Sequence, residues 1–212
     1  MRQKCLMGCA ALAAAAAFAL PGGASAQVGA PTGGGSAGAG STDPNFYDLP
    51  FGSRDLSLGM AGTDVKTLNW ALRGLALGTP PSGDFAETTD SAVRSFQSAS
   101  GVGASGVVNR PTRKAIASRM LNQRASWFGP GLYGNQTACG QKLRKKTIGV
   151  AHKKLPCGTK VTFAYRGRWV RAKVIDRGPF VKGRKWDLTY QTARQLGTLK
   201  AGTAKIKAVA AP

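Results

Sequence analysis

Acidic residues are scarce in this chain of 212 residues, and they are scarcest where basic residues are most frequent. The whole chain has 30 Lys and Arg against 9 Asp and Glu, a formal net charge of +21. Residues 122–212 contain 20 basic and 2 acidic residues, a balance of +18, whereas residues 46–121 contain 8 and 6. A segment as basic as 122–212 attracts anionic polymers, either those of a cell wall or nucleic acid.

The same shortage limits the chemistry of residues 122–212. Their only carboxylate side chains are Asp176 and Asp187, and His152 is the only histidine of the chain. A serine triad needs a third group that orients its histidine, and no pattern indicates one. A hydrolytic glycosidase normally needs two carboxylates that flank the scissile bond. No spacing typical of zinc ligands is present, so we expect neither a metal nor a cofactor.

Long apolar runs are also rare, and the one at the N-terminus is too short for a stable membrane span. Arg2 and Lys4 precede it, and Ala24-Ser25-Ala26 follows it with the small residues typical of a signal-peptide cleavage site. We therefore predict a signal peptide over residues 1–26, cleaved after Ala26, and a protein secreted to the cell wall without stable membrane insertion. Residues 27–45 are rich in Gly, Ala and Ser and are predicted to form a flexible linker.

Cysteine is rare, and two of the four cysteines lie in the predicted signal peptide. Cys139 and Cys157 remain after cleavage. An isolated pair in an exported chain favours a disulfide, which would stabilise the fold by about 3 kcal/mol. The alternative is a pair of buried thiols that pack as small hydrophobic groups.

Residues 46–121 have the pattern of a small helical domain. Val65, Leu68 and Leu72 lie at i, i+3 and i+7, which predicts an amphipathic helix. Two more helices are predicted, separated by turns rich in Gly and Pro. The residues predicted to cap or begin the three helices are Thr63, Thr88 or Thr89, and Pro111 or Thr112.

Residues 122–212 consist of short β-branched and aromatic runs separated by Gly and Pro. Strands are predicted at 161–165, 169–175 and 204–209, with a tight hairpin turn at Arg166-Gly167-Arg168. A helix is predicted from Thr189 to Leu196. Many short strands with one helix are typical of a closed barrel, so the predicted fold class is α + β and multidomain, three helices followed by a β-barrel.

Five spaced blocks occur between residues 124 and 209. They are A-S-W-F-G-P-G from Ala125, T-A-C-G-Q from Thr137, A-H-K-K-L-P-C-G-T from Ala151, V-I-D-R-G-P-F from Val174 and W-D-L-T from Trp186. In this order they closely resemble the double-psi β-barrel of the rare lipoprotein A family. The resemblance implies a six-stranded double-psi barrel that cleaves peptidoglycan glycan strands lytically, forming 1,6-anhydromuramic acid.

A second resemblance covers the helical segment. Its matching residues include Leu58, Gly59, Gly62, Asp64, Val65, Gly83, Phe85, Val93, Phe96, Gln97 and Thr112. They resemble the peptidoglycan-binding domain 1 family, a three-helix module of bacterial wall hydrolases. Asn69 departs from the pattern, because the family usually has Gln there. The resemblance implies peptidoglycan as the partner of this module, and we expect the protein to be a monomer.

The first resemblance also implies roles for individual residues. Asp176 corresponds to the acid–base residue of the family, and His152 is implicated beside it. Gln141 stands where the family usually has Glu, and it can hydrogen-bond sugar but cannot carry a proton. From the residues alone, Asp176 has a competing structural interpretation, in which it pairs with Arg177 or caps a turn.

Three further residues are candidates for substrate contact. Tyr133 resembles a sugar-stacking aromatic, although aromatic residues in small barrels are more often part of the core. Arg177 is placed to meet acidic or N-acetyl groups of the substrate. Asp187 is placed near the groove by the resemblance, while its position before a helix favours a capping role.

The predicted function is that of a secreted lytic transglycosylase with two domains, residues 46–121 and 122–212. Lytic cleavage suits a domain with few acids, because the attacking hydroxyl belongs to the substrate. The alternative is a non-catalytic, expansin-like protein that binds peptidoglycan or wall polymers, which Gln141 favours. A binder of anionic polymer or nucleic acid rests on charge alone, and export counts against nucleic acid as a partner.

Overall fold

The structure, a computed structural model, describes residues 49–211. The predicted signal peptide and linker lie outside this range. Three helices are followed by a closed six-stranded barrel, so the α + β multidomain fold is confirmed. None of the helices between residues 49 and 211 is long and apolar enough to span a bilayer.

The first three helices are α1 (Thr63–Gly74), α2 (Glu87–Ser100) and α3 (Arg110–Arg119). The strands are β1 (Leu121–Phe128), β2 (Val150–Ala151), β3 (Lys160–Tyr165), β4 (Arg168–Asp176), β5 (Trp186–Thr189) and β6 (Ala204–Ala211). Helix α4 (Tyr190–Leu196) and a 3₁₀ turn (Leu199–Ala201) connect β5 to β6.

The predicted caps of the first two helices are wrong, because Gly62 and Ala86 occupy the N-cap positions and Thr63, Thr88 and Thr89 lie inside the helices. Thr63 donates its hydroxyl to the carbonyl of Leu49 at 3.1 Å. Thr89 is buried within α2 and donates to Asn69 Oδ1 at 2.9 Å. Only α3 among these three helices has a side-chain cap, supplied by Asn109.

Asn69, the departure from the peptidoglycan-binding pattern, is a fully buried structural residue. Its Nδ2 donates to the carbonyls of Ser82 and Asp84, each at 3.1 Å, while its Oδ1 accepts from Thr89. Every polar atom of the side chain therefore has a partner, as a buried amide requires. The Asn69 amide, which is one methylene shorter than the usual Gln, therefore connects α1, α2 and the loop between them.

The barrel closes in the strand order β1-β5-β2-β4-β3-β6. The pairs β1–β5 and β2–β4 are parallel, and the other four pairs are antiparallel. The predicted hairpin is confirmed: Tyr165 pairs with Arg168, and Arg166 and Gly167 both have positive φ, as a two-residue turn of this kind requires. The predicted helix is confirmed as α4, with Thr189 as its cap and Gly197 in the left-handed conformation at its end.

The helices and the outer wall of the barrel share one hydrophobic core. Ala164 and Trp169 of the barrel belong to the buried cluster of the helical module, and Trp169 packs edge-on against Phe51 at 5.0 Å. Helix α1 lies against β3, β4 and β6. Its Trp70 ring faces the cations of Lys160 and Arg171 at 5.4 and 4.9 Å. Nonlocal packing therefore fixes the position of the helices on the barrel.

Candidate active site

The two carboxylates of the barrel lie on the strands that flank β2. Ala151, the last residue of β2, is paired with Asp187 of β5 on one side and with Asp176 of β4 on the other. Neighbouring strands are about 4.8 Å apart, so the Cα atoms of the two aspartates are separated by roughly 10 Å. The fold thus brings these two acids close enough for the charge of Asp176 to contribute to a raised pKa at Asp187.

Asp176 ends β4 and is held by backbone N–H groups. Its Oδ1 accepts hydrogen bonds from the N–H groups of Ala138 and Arg177, each at 2.9 Å. Within residues 49–211, no group donates a hydrogen bond to its other oxygen, Oδ2. Asp176 therefore has one fixed oxygen and one oxygen that is available to a ligand.

The predicted pairing of Asp176 with the Arg177 side chain does not occur. The Arg177 guanidinium instead donates to the carbonyls of Leu155 at 3.0 Å and His152 at 3.4 Å. It also contacts the Sγ atom of Cys157 at 3.3 Å. Arg177 therefore fastens the 152–157 segment to the end of β4.

Asp187 is a strand residue, and the predicted capping role is wrong because Thr189 caps α4. Its Oδ1 accepts a hydrogen bond from the Ser126 hydroxyl at 2.7 Å. Burial is the largest influence and raises the pKa of Asp187. The Ser126 hydrogen bond and the charge of Arg184 oppose the rise, and the neighbouring Asp176 adds to it. A carboxyl group in such surroundings keeps its proton to a higher pH than an exposed one.

His152 is only 4% exposed, and hydrogen bonds to its ring fix the tautomer of the neutral form. Nδ1 accepts hydrogen bonds from the N–H groups of Lys154 and Leu155 at 3.1 and 2.9 Å. In the neutral ring the proton is therefore on Nε2. Burial, followed by the charges of Lys185 and Arg177, lowers the pKa of His152. The ring is consequently neutral at pH 7.

His152 meets Asp176 through the backbone and not through its ring. Its N–H donates to the carbonyl of Asp176 at 3.1 Å. The ring packs against Trp186, with centroids 4.6 Å apart, and borders a cavity of about 460 Å³ together with Gln123 and Lys185. Neither carboxylate lines that cavity. The two predicted catalytic residues are thus adjacent in the fold, but the His152 ring borders a cavity that Asp176 does not line.

Gln141 closes a tight turn that is connected to Asp176. Its carbonyl accepts from the N–H of Thr137 at 2.8 Å, and the next residue after Thr137 is the Ala138 that donates to Asp176. The Gln141 side chain is exposed. The position that usually carries a Glu in the family therefore lies on the loop that holds the Asp176 carboxylate.

The predicted disulfide is present. Cys139 and Cys157 are bonded, with their Cα atoms 5.7 Å apart. Cys139 also donates its N–H to the carbonyl of Ile175 at 3.2 Å. The bond therefore joins two loops that both contact the end of β4.

Tyr133 lies beyond the end of β1 and next to the base of the hairpin that carries Gln141, where Gly134 donates its N–H to the Leu143 carbonyl at 2.8 Å. It is 37% exposed, and its hydroxyl lies beside Gly129 and close to Tyr190. A side chain at Gly129 would overlap these neighbours, and its φ of +156° disfavours other residues. Tyr133 thus presents a partly exposed ring on the side of the barrel where β1 and β5 end.

Two contacts of the site could not be found from the sequence. Ser126 meets Asp187 only because β1 and β5 are paired in parallel with these residues opposite each other. Ala138 contributes only its backbone N–H group, which every residue except proline has, so no sequence pattern marks this contact. Among residues 49–211, no cluster of three or more His, Cys, Asp or Glu is arranged to hold a metal ion.

Fold and site together define a class of protein: a three-helix module fused to a double-psi β-barrel that carries two neighbouring carboxylates. Residues 121–208 match the family model described as "Lytic transglycolase". Residues 61–116 match the one described as "Putative peptidoglycan binding domain". Both resemblances predicted from the sequence are confirmed.

Curated relatives match less than half of the chain, between 39% and 48% of it. The chain is 41% identical over 85 residues to "Endolytic peptidoglycan transglycosylase RlpA" of Campylobacter jejuni, covering 39% of this chain and 31% of the relative. It is 38% identical over 99 residues to the protein of that name in Pseudomonas aeruginosa, covering 46% and 29%. The chain thus spans about a third of the length of these relatives.

Solved structures resemble a similar share of the chain at lower sequence identity. A Streptomyces papain inhibitor matches 44% of this chain and 96% of its own, with 21% identity and a TM-score of 0.37. An expansin of Clavibacter michiganensis matches 43% and 50%, with 25% identity and a TM-score of 0.37.

Proposed function

We propose that the protein is an exported lytic transglycosylase that cleaves peptidoglycan glycan strands and forms 1,6-anhydromuramic acid. The observation that carries the proposal is the pair of carboxylates on the strands flanking β2, one partly buried and one with a free oxygen. The match of residues 121–208 to a lytic transglycosylase family supports it. The reaction needs no metal and consumes no water.

The two carboxylates have unequal surroundings, and these assign them different roles. Asp187 has a raised pKa, so it is the better proton donor to the glycosidic oxygen that leaves. Asp176, fixed through Oδ1, takes the proton of the C6 hydroxyl at Oδ2 as O6 bonds to the anomeric carbon. One proton is given and one is taken, so exchange with solvent restores both groups. The family resemblance implied that Asp176 is both the acid and the base. In this proposal Asp176 is the base and Asp187 is the acid.

His152 serves this reaction as a positioning residue. A general base must accept a proton on a free nitrogen, but Nδ1 already accepts two N–H bonds and Nε2 carries the proton. The ring organises the turn at 153–155, to which Arg177 of the D-R-G-P-F block is also bound. Its loss would disturb the end of β4 without removing a catalytic proton.

Substrate contacts are assigned to the exposed side chains around the carboxylates. Gln141 is suited to hydrogen-bond the sugar, and Tyr133 to stack on a pyranose ring. Arg177 is committed to carbonyl groups and shapes the groove, while Asp187 acts on the glycosidic oxygen. The helical module holds peptidoglycan, and the excess of cations on the barrel attracts anionic wall polymers.

The test is to incubate the exported protein, residues 27–212, with purified glycan strands and to detect 1,6-anhydro products by mass spectrometry. Asp176→Asn and Asp187→Asn should each lower the yield at least a hundredfold while wall binding is retained. Asp55→Asn, an exposed carboxylate of the helical module, is the matched control and should leave the yield unchanged. Full activity of either barrel variant would overturn the mechanism.

The alternative is a non-catalytic wall-binding protein, and one observation favours it. Asp176 Oδ1 anchors the loop of Gln141, which is a structural use of the carboxylate. In that case wild type yields no anhydro product, and Gln141→Glu, which supplies the carboxylate usual in the family, should create activity. If neither protein cleaves and Asp176→Asn weakens binding, the enzyme proposal fails.

A further inference from the structure

We propose that the Cys139–Cys157 disulfide is a positioning device for Asp176, and that breaking it lowers catalysis without unfolding the barrel. The inference rests on the proposed function, since it concerns the carboxylate assigned as the base. The two cysteines do not touch the reacting atoms. They act through the loop that holds the carboxylate.

The loop at 137–141 carries Cys139, one end of the disulfide. Its Ala138 N–H holds Asp176 Oδ1 at 2.9 Å, and the neighbouring Cys139 N–H donates to the Ile175 carbonyl at 3.2 Å. These two hydrogen bonds attach the loop to the last two residues of β4. The Ala138 side chain is exposed, and the loop belongs to none of the six strands, although Thr137 beside it is buried. Its attachment to the end of β4 therefore depends on these two hydrogen bonds and on the disulfide.

The loop at 156–159 carries Cys157, the other end of the disulfide. Gly158 donates its N–H to the Val174 carbonyl at 2.7 Å, and Val174 donates to the Thr159 carbonyl at 2.9 Å. Arg177 adds the contact with Cys157 Sγ. This loop is therefore fixed on β4 by backbone hydrogen bonds, and the disulfide ties the loop at 137–141, which lies outside the strands, to it.

The consequence for Asp176 follows from its two oxygens. Two N–H groups on Oδ1 orient the carboxylate so that Oδ2 remains for the substrate hydroxyl. If the Ala138 N–H moves away, only the N–H of Arg177 remains, and the carboxylate is free to rotate. A hydrogen bond to a charged group contributes enough to change a rate about tenfold to a hundredfold when it is lost.

The experiment compares wild type with Cys139→Ala/Cys157→Ala in residues 27–212. We expect kcat to fall about tenfold to a hundredfold. KM should rise by a smaller factor than kcat falls, because Gln141 lies on the released loop while the other substrate contacts remain. Dithiothreitol should cause the same fall in wild type, as its two thiols reduce the disulfide to two cysteines and close to a cyclic disulfide. The double variant is the matched control, because it has no bond to reduce and should not respond.

Amide hydrogen exchange supplies a readout that does not depend on activity. Exchange at Ala138 should accelerate at least about tenfold in the double variant, while Phe163 in the centre of β3 keeps its protection. Unchanged exchange at Ala138, or an unchanged kcat in an active enzyme, overturns the proposal. Loss of protection at both residues also overturns it, because the disulfide would then stabilise the whole barrel. If wild type is inactive, the proposed function fails, and exchange alone decides whether the disulfide holds Ala138 on Asp176.

Discussion

The contact between α1 and β6 gives the sharpest test that the helices and the barrel form one packed unit. Gly74 ends α1, and a methyl group there would lie 2.6 Å from Val209 Cγ2 and 3.0 Å from the Ala210 carbonyl oxygen. Ordinary contacts of this kind are 3.4–4 Å, so the helix or the strand would have to move. Gly74→Ala therefore tests the close approach of α1 to β6.

Two opposing effects decide the magnitude. Replacing Gly by Ala in a helix gains up to about 1 kcal/mol, and less at its last residue. Forcing a methyl group into a packed contact costs about 1–3 kcal/mol. The cost of the overlap is larger than the gain in helix propensity, so we expect a net loss of about 1 kcal/mol in the free energy of unfolding. For a chain of this size that corresponds to about 2–4 °C in Tm.

Val209→Ala should rescue much of this loss, because it removes both valine methyl groups that the methyl group added at Gly74 would meet. Urea denaturation followed by tryptophan fluorescence suits the measurement, since Trp70 and Trp169 lie between the helices and the barrel. A double-mutant cycle should show a favourable coupling of about 0.5–1 kcal/mol. A stabilised Gly74→Ala variant, or two single costs that simply add, would refute the close packing of α1 on β6.

Three further predictions concern pH and salt. His152 has a lowered pKa in the folded state, so stability should fall as the pH drops below the ordinary value of 6.5, by at most about 1.4 kcal/mol per unit. Denaturation of His152→Gln should lack this step, and an identical step in the variant would be contrary evidence. Asp187 has a raised pKa, so Asp187→Asn should be the more stable protein at pH 7, with the difference disappearing as the pH falls toward 3.8; a less stable variant at pH 7 would contradict the burial argument. Binding of the full protein to anionic wall polymer should weaken as salt rises from about 0.05 to 0.5 M, because exposed charges are screened; pull-down that is insensitive to salt would argue against an electrostatic contact.

The sequence by itself determined the local elements and the chemistry that was available. The hairpin at Arg166-Gly167, the helix after Thr189 and the stop at Gly197 follow from turn and cap preferences that act over a few residues. The concentration of positive charge and the presence of only two carboxylates in the barrel are properties of composition. The isolated cysteine pair also pointed correctly to a disulfide.

Only the tertiary structure decided what these residues do. Thr63 and Thr89 do not cap helices, because they lie within α1 and α2, and their hydroxyls donate to Leu49 and Asn69, which the fold brings close. Burial of Asp187 and His152 shifts their pKa values in opposite senses, since burial disfavours whichever form is charged. The Ala138 N–H meets Asp176 because the barrel brings a loop to the end of β4. Such contacts join residues far apart in the chain, so no local pattern encodes them.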